Sequence, residues 1–191
     1  MKEAGSMNGS AQESMKQGAS YPRFMAMVGT STVIMLGLMY LNTYQLDHVM
    51  WSETRFWMMF MMGGVMAAVM LAFMWSMYRD KAKNIIILAV AVFVFLLGLF
   101  LMRSQVTIDD SDYMSAMIPH HSIAIMTSER AGIDDPRVRE LADGIIRAQR
   151  KEIKEMKWLL NDIKQNGKVT TAAEVAARPV PAFEGKLNAR D

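Results

Sequence analysis

Three long apolar runs, separated by polar segments, fill most of the first half of the chain. They cover about residues 24–44, 57–78 and 85–102, and none contains Asp, Glu, Lys, Arg or His. A helix rises about 1.5 Å per residue, so about 20 residues cross a hydrocarbon core of about 30 Å. The pattern predicts three transmembrane helices in a membrane domain, 24–103, after a polar N-terminal segment, 1–23, that we expect to be disordered.

Basic residues flank the runs unevenly, and this asymmetry predicts an orientation. Lys2, Lys16 and Arg23 precede the first run, Arg55 follows it, and Arg79, Lys81 and Lys83 precede the third. Because cytoplasmic segments are enriched in Lys and Arg, we expect a bacterial inner (plasma) membrane protein with a cytoplasmic N-terminus. The first loop and the C-terminal part then lie outside, in the periplasm of a Gram-negative cell, together with all three histidines.

After the third run the spacing of apolar residues becomes that of amphipathic helices. Three aspartates within 109–112 mark a helix start, because carboxylates favour the positive end of the helix dipole. Asp135-Pro136 is an N-cap followed by Pro at the first helical position, and Gly167 ends this second helix. The sequence predicts an all-α protein in which 104–166 forms an antiparallel helical hairpin and 167–191 a flexible tail.

Two helices alone do not surround a core. We therefore expect the hairpin to pair with a second copy in a homodimeric four-helix bundle, or to dock on the membrane domain.

Methionine is unusually frequent, with 21 residues, and cysteine is absent. A soft-metal site here must combine thioether sulfur with imidazole, a set that suits copper, above all Cu(I), and also silver. The first predicted helix of the hairpin concentrates such donors, because Met114, Met117 and His121 share one face with Asp110 at 100° per residue.

Other candidate ligands come from the neighbouring segments. The full set of candidate metal ligands is Met114, Met117, His120, His121, Met126, Glu152 and Met156, with His48, Met50, Asp110 and Gln149 as secondary candidates. Glu152 falls within the apolar face of its helix, where an unpaired charge is costly, so it needs a metal, a histidine or a basic side chain as partner. Taken singly, each of these residues is equally explained by packing or solvent exposure.

A methionine stripe on the second apolar run permits two interpretations. Its members are Met59, Met62, Met66, Met70, Met74 and Met77. They could form a thioether path for Cu(I), or they could be flexible apolar filler between helices. Because the stripe contains no polar partner, packing is the favoured interpretation.

Two motif blocks resemble a known family. They read Tyr113-x3-Met117-Ile-Pro-His-His-x2-Ala-Ile-Met126 and Leu141-Ala-x2-Ile-Ile-x2-Gln149-x2-Glu152-Ile-x2-Met156-x-Trp-Leu159. This pattern, over about residues 109–160, is similar to that of the domain-of-unknown-function 305 (DUF305) family, which includes CopM-like periplasmic copper-binding proteins and is described as ferritin-like and helical. The resemblance implies metal ligands at Met117, His120, His121, Met126, Gln149, Glu152 and Met156. Larger members hold two hairpins, whereas this chain has one.

Together these features predict a membrane-anchored periplasmic protein that binds Cu(I) or Ag(I), and Cu(II) through its carboxylates, for copper tolerance or delivery to another periplasmic copper protein. An enzyme is not expected, because neither the Glu-x-x-His motif of di-iron bundles nor a His-Glu-x-x-His zinc motif occurs. A net charge of +2 without a basic block gives no reason to propose nucleic acid as a partner. The alternative is a structural or assembly protein whose hairpin mediates protein contacts without metal.

Overall fold

A computed structural model describes residues 20–188, and all the regular structure in that range is helical. The α-helices are α1 (Tyr21–Leu38), α2 (Glu53–Phe73), α3 (Lys81–Ser104), α4 (Asp110–Arg130), α5 (Pro136–Asn166) and α6 (Ala172–Ala177), with a 3-10 turn at Leu46–His48. The predicted all-α class is confirmed for this range. The predicted disordered segment, apart from its last residues, lies outside the described residues.

The chain divides into two compact units. The three-helix unit contains α1 to α3, and the hairpin unit contains the residues from Gln105 onward together with the segment Leu38–Arg55. That segment runs from the last residue of α1 to the first residues of α2, yet it packs with α4 and α5. The sequence pattern did not predict this association.

Two helices within the described range, rather than three, are long and apolar enough to cross a membrane. They are α2, with a mean hydropathy of 2.0, and α3, with 3.3. The prediction of three transmembrane helices is wrong on this point, because the first apolar run does not stay helical. α1 has 18 residues, begins with Tyr21, Pro22 and Arg23, and ends at Leu38, so it omits the last residues of the run.

Small residues let the helices of the three-helix unit approach closely. A Cβ added at Gly63 would lie 2.9 Å from Oγ1 of Thr32 in α1, and one added at Gly64 would lie 2.6 Å from the carbonyl oxygen of Ala91 in α3. Gly63, Gly64 and Ala67 are buried. These small residues therefore form a close contact surface between α2 and its neighbours in this unit.

We expect Gly64→Ala to loosen the contact between α2 and α3. The added methyl group has no room against the Ala91 carbonyl, and overpacking of this kind costs about 1–3 kcal/mol. Thermal unfolding of the detergent-solubilised protein, followed by circular dichroism, measures the loss. Gly29→Ala is the matched control, because a Cβ there meets nothing within 4 Å among the described residues; equal losses in both variants would contradict the prediction.

The methionine stripe of α2 is interrupted in the structure. α2 ends at Phe73, so Met74 and Met77 lie beyond the helix. Met70 and Met74 pack against the apolar core of the three-helix unit, while Met77 is 54% exposed. These positions favour the packing interpretation of the stripe.

The antiparallel hairpin is confirmed, and its ends follow the predicted caps. Asp109 accepts hydrogen bonds from the amides of Ser111 and Asp112 at 2.8 and 2.9 Å, and the Asp112 amide contributes most to lowering the pKa of that carboxyl. Asp135 caps α5 with Pro136 in its first turn, and Gly167 ends it at a φ of 79°. Local sequence signals thus fix where both long helices of the hairpin begin.

The tail after Gly167 is more structured than the sequence analysis predicted. Residues 172–177 form α6, which starts with a capping box between Thr171 and Glu174. Leu187 further along packs against the core of the hairpin unit, as do Tyr44 and Met50 from the segment Leu38–Arg55. The expectation of a flexible tail is corrected accordingly, and the loop and tail cover part of the surface that two helices leave open.

Candidate metal site

Methionines from three separate segments contribute to the core of the hairpin unit. Met114 of α4 and Met156 of α5 are 6% and 9% exposed and belong to the same buried cluster. Met117 of α4 and Met50 of the segment Leu38–Arg55 pack against that cluster. We call Met50, Met114, Met117 and Met156 the methionine cluster. The sequence analysis proposed all four as ligands.

A histidine and a carboxylate pair beside the methionine cluster. Nε2 of His121 lies 2.8 Å from Oε2 of Glu152, and Nδ1 of His121 lies 2.9 Å from the carbonyl oxygen of Met117. The Gln149 amide donates to the same Glu152 oxygen at 3.4 Å. His121 is buried and the Glu152 side chain is 46% exposed, so the pair lies at the edge of the core. The sequence analysis offered a metal, a histidine or a basic side chain as the partner of Glu152. In the structure the partner is a histidine, His121 of α4.

The two hydrogen bonds of His121 constrain its protonation. A carbonyl oxygen only accepts, so Nδ1 must carry the proton that it shares with Met117. In the neutral ring, Nε2 is then an acceptor directed at a carboxylate oxygen, and two acceptors at 2.8 Å repel each other. A second proton on the imidazole removes the repulsion, and a metal ion that binds Nε2 would take the place of that proton. Metal-binding histidines often donate their other ring N–H to a backbone carbonyl in this way.

Helix periodicity places the methionines on the same side of this pair. Met117 precedes His121 by four residues on α4, and Met156 follows Glu152 by four residues on α5. Because α4 and α5 are antiparallel, the step from His121 to Met117 and the step from Glu152 to Met156 run in the same direction along the hairpin. Each step covers about 6 Å, at 1.5 Å per residue. Met117 and Met156 therefore both lie one helical turn from the His121–Glu152 pair, on the same side of it.

Other predicted ligands lie away from this arrangement. Asp110 is exposed and forms an ion pair with Lys168 at 2.8 Å. His120 is exposed, and its ring centroid is 6.0 Å from that of His121. Met126 is half-buried and does not belong to the methionine cluster. Within residues 20–188 no three His, Cys, Asp or Glu side chains come together as a group that could hold an ion.

The imidazole of His48 contacts a serine of α4 that lies far from it in the sequence. It is 3% exposed, and its Nδ1 lies 3.0 Å from Oγ of Ser122. The same oxygen accepts the backbone N–H of Tyr44 at 2.9 Å. Lys157 of α5 binds Asp47 at 2.5 Å. Sequence reasoning missed Ser122, which is fully buried and joins the segment Leu38–Arg55 to α4 beside His121.

We expect Ser122→Ala to weaken the attachment of the segment Leu38–Arg55. Removing Oγ takes an acceptor from the Tyr44 amide and a hydrogen bond from His48, and losses of this kind cost about 1–3 kcal/mol when buried. Chemical denaturation of the full chain measures the change. Ser128→Ala is the control on the same helix, and no difference between the two variants would contradict the role of Ser122.

A cavity of about 710 Å³ in the hairpin unit reaches the methionine cluster. Met114 and Met156 line it together with Tyr113 and Trp158. Lys168 and Arg178 of the tail also line it, and both form ion pairs with aspartates at its rim, Asp110 and Asp162. The cavity gives a small ion a route from solvent to two buried thioethers.

The fold and the site together describe one class of protein. It is an all-α protein with an antiparallel helical hairpin, in which a His–Glu pair lies beside buried methionines. The sequence pattern of one family, described as "Domain of unknown function (DUF305)", matches residues 110–187. The chain is also 34% identical over 116 residues to "Uncharacterized protein L153" of Acanthamoeba polyphaga mimivirus, a match that covers 60% of this chain and 74% of that protein. No solved structure matches the chain.

The chain belongs to the DUF305 family. The family match extends to residue 187, so it includes α6 and the tail as well as the two motif blocks. This extent agrees with the packing of Leu187 against the core.

Proposed function

We propose that the hairpin unit binds Cu(I), with Ag(I) as an alternative soft ion, and serves copper tolerance or delivery at a membrane. The observation that carries the proposal is the methionine cluster, two members of which, Met117 and Met156, lie one helical turn from the His121–Glu152 pair. Thioether and imidazole are the ligands that Cu(I) prefers when no thiolate exists. Met114, Met117, Met156 and His121 are the proposed ligands, and Glu152 orients the imidazole or joins the ion.

The proposed membrane position rests on α2 and α3, which have the length and hydropathy of membrane-spanning helices. If both cross, residues before α2 and after α3 lie on the same side, whether or not α1 also crosses. This is consistent with the packing of the segment Leu38–Arg55 in the hairpin unit. Arg79 in the loop before α3, with Lys81 and Lys83 in the first turn of α3, favours the opposite, cytoplasmic side for that loop. We therefore propose that the hairpin unit lies outside the plasma membrane, where another periplasmic copper protein could receive the ion.

The histidine pair provides a sharp test of this function. Full-length protein in detergent is titrated with Cu(I) against a chromophoric chelator, alongside His121→Phe and His120→Phe. We expect His121→Phe to lose at least about tenfold in affinity and His120→Phe to retain it, because His121 is buried and bonded to the backbone of Met117, whereas His120 is exposed. Circular dichroism checks that both variants keep their helices. Absence of Cu(I) binding by the unmodified protein, or equal binding by His121→Phe, would overturn the proposal.

A structural or assembly role is the second candidate. Both ring nitrogens of His121 already have hydrogen-bond partners, so the His121–Glu152 contact could simply join α4 to α5. This role predicts that Glu152→Gln and His121→Phe lower the free energy of unfolding while copper tolerance of cells stays unchanged.

A further inference from the structure

The N-terminal half of α5 carries an apolar surface that faces solvent within the described part of the chain. Val138, Leu141 and Ile145 are 47%, 65% and 36% exposed. At 100° per residue they fall within about 60° of one another. We call these three residues the α5 stripe. Three large aliphatic side chains in line on one helix are typical of a contact surface rather than of scattered exposed residues.

The surface beside the α5 stripe allows another helix to approach closely. Gly144 and Ala148 lie next to Leu141 on the same side of the helix, at about 60° and 20° from it. A Cβ added at Gly144 would meet nothing within 4 Å among the described residues. A shallow groove of about 630 Å³ runs along these residues. Small residues next to exposed aliphatic ones leave room for a facing backbone.

Charges along the edge of the stripe identify the occupant. Glu140 and Arg147 are exposed on the edge next to Gly144, and neither forms an ion pair or a side-chain hydrogen bond with the described residues. A two-fold axis beside Gly144, perpendicular to the helix, places Glu140 of one copy opposite Arg147 of the other. The same rotation places Arg147 of the first copy opposite Glu140 of the second, so two such pairs form. A surface that complements itself in charge under two-fold rotation fits a second copy of the same chain.

We propose that two copies of this chain associate through antiparallel α5 helices that cross between Leu141 and Ala148, close to Gly144. The α5 stripes of both copies cover each other, and Glu140 and Arg147 form two symmetric ion pairs at the edge. The interface is separate from the methionine cluster, so the proposal does not depend on metal binding.

Single cysteines test the geometry, because the natural chain has none. Gly144→Cys lies beside the proposed axis, and mild oxidation of the full-length protein in native-like lipid nanodiscs or membranes should yield mostly a disulfide-linked dimer. Asn161→Cys, exposed further along α5, is the control and should stay mostly monomeric. Equal cross-linking of the two variants, or none at Gly144→Cys, would overturn the proposed crossing.

Charge reversal tests the pairing independently of cross-linking. Glu140→Arg alone and Arg147→Glu alone should each weaken the dimer at least several-fold, as measured by light scattering of the detergent-solubilised full chain across a dilution series. The double variant should restore it, because the two-fold pairs are re-formed with opposite sign. Leu141→Glu should abolish the dimer, whereas Val175→Glu, equally exposed on α6, should not. A monomeric natural chain, or a double variant as weak as the singles, would overturn the proposed dimer.

Discussion

Replacing Arg150 with Met is expected to lower the free energy of unfolding of the hairpin unit by about 3–5 kcal/mol. Arg150 is 4% exposed, and its Nη2 donates to Oε1 of Glu129 at 2.5 Å. Its Nη1 donates to the carbonyl oxygens of Lys186 and Leu187 at 2.5 and 2.7 Å. One guanidinium therefore joins α4, α5 and the tail. Its loss leaves a largely buried carboxylate and two carbonyls without this donor.

Denaturant unfolding followed by circular dichroism measures the effect of Arg150→Met. Lys151→Met is the matched control, because Lys151 is exposed and its 3.5 Å ion pair with Glu155 is of the surface type that contributes about 1 kcal/mol or less. Limited proteolysis should also cut the Arg150→Met tail near Leu187 faster than the tail of the natural protein. A loss no larger than that of Lys151→Met would show that the tail is held by its other contacts.

Replacing Met114, Met117 and Met156 together with Leu should remove Cu(I) binding while the fold is retained. Leu and Met have similar volumes, and such exchanges usually cost less than about 1.5 kcal/mol each. The affinity should fall by more than about 100-fold, because removing even an outer partner of a metal ligand costs about 10–100-fold. Cu(I) competition titration of the full chain provides the measurement.

The control for this variant uses methionines of the three-helix unit. Met66→Leu with Met70→Leu removes two thioethers of the α2 stripe and should leave the Cu(I) affinity unchanged, because that stripe is interpreted as packing. If the α2 variant loses binding and the hairpin variant does not, the ion-binding function lies in the three-helix unit instead.

The hairpin could be predicted because local sequence signals set the ends of its helices. The features that were missed depend on contacts between residues far apart in the sequence. Asp109, Asp135-Pro136 and Gly167 act within one helical turn of themselves, so their meaning can be read from the sequence. The contact between His48 and Ser122 joins residues 74 positions apart, and neither residue carries a pattern that indicates the other. The placement of the segment Leu38–Arg55 in the hairpin unit therefore had no signal in the sequence.

The errors have similarly specific causes. The first apolar run was treated as one helix, but α1 ends at Leu38 and includes Arg23 near its start. Asp110 shares a helical face with Met114, yet it pairs with Lys168 of a tail that the sequence analysis left unstructured. The capping box at Thr171 and Glu174 was a usable local signal, but no periodic apolar stretch follows it.

The candidate site was predictable in part because helix periodicity is strict. The spacing of Met117 from His121 and of Glu152 from Met156 already placed them on the facing sides of two helices. The contribution of Met50 depends on the docking of a distant loop and required the structure. The separation of His121 from His120, one buried and one exposed, also required it.

X-ray absorption spectroscopy of the full-length protein loaded with Cu(I) tests the central claim most directly. The account predicts a ligand shell that contains thioether sulfur together with imidazole nitrogen, and loss of the sulfur contribution in the Met114→Leu/Met117→Leu/Met156→Leu variant. A shell of nitrogen and oxygen alone, or a sulfur shell unchanged in that variant, would contradict binding at the methionine cluster.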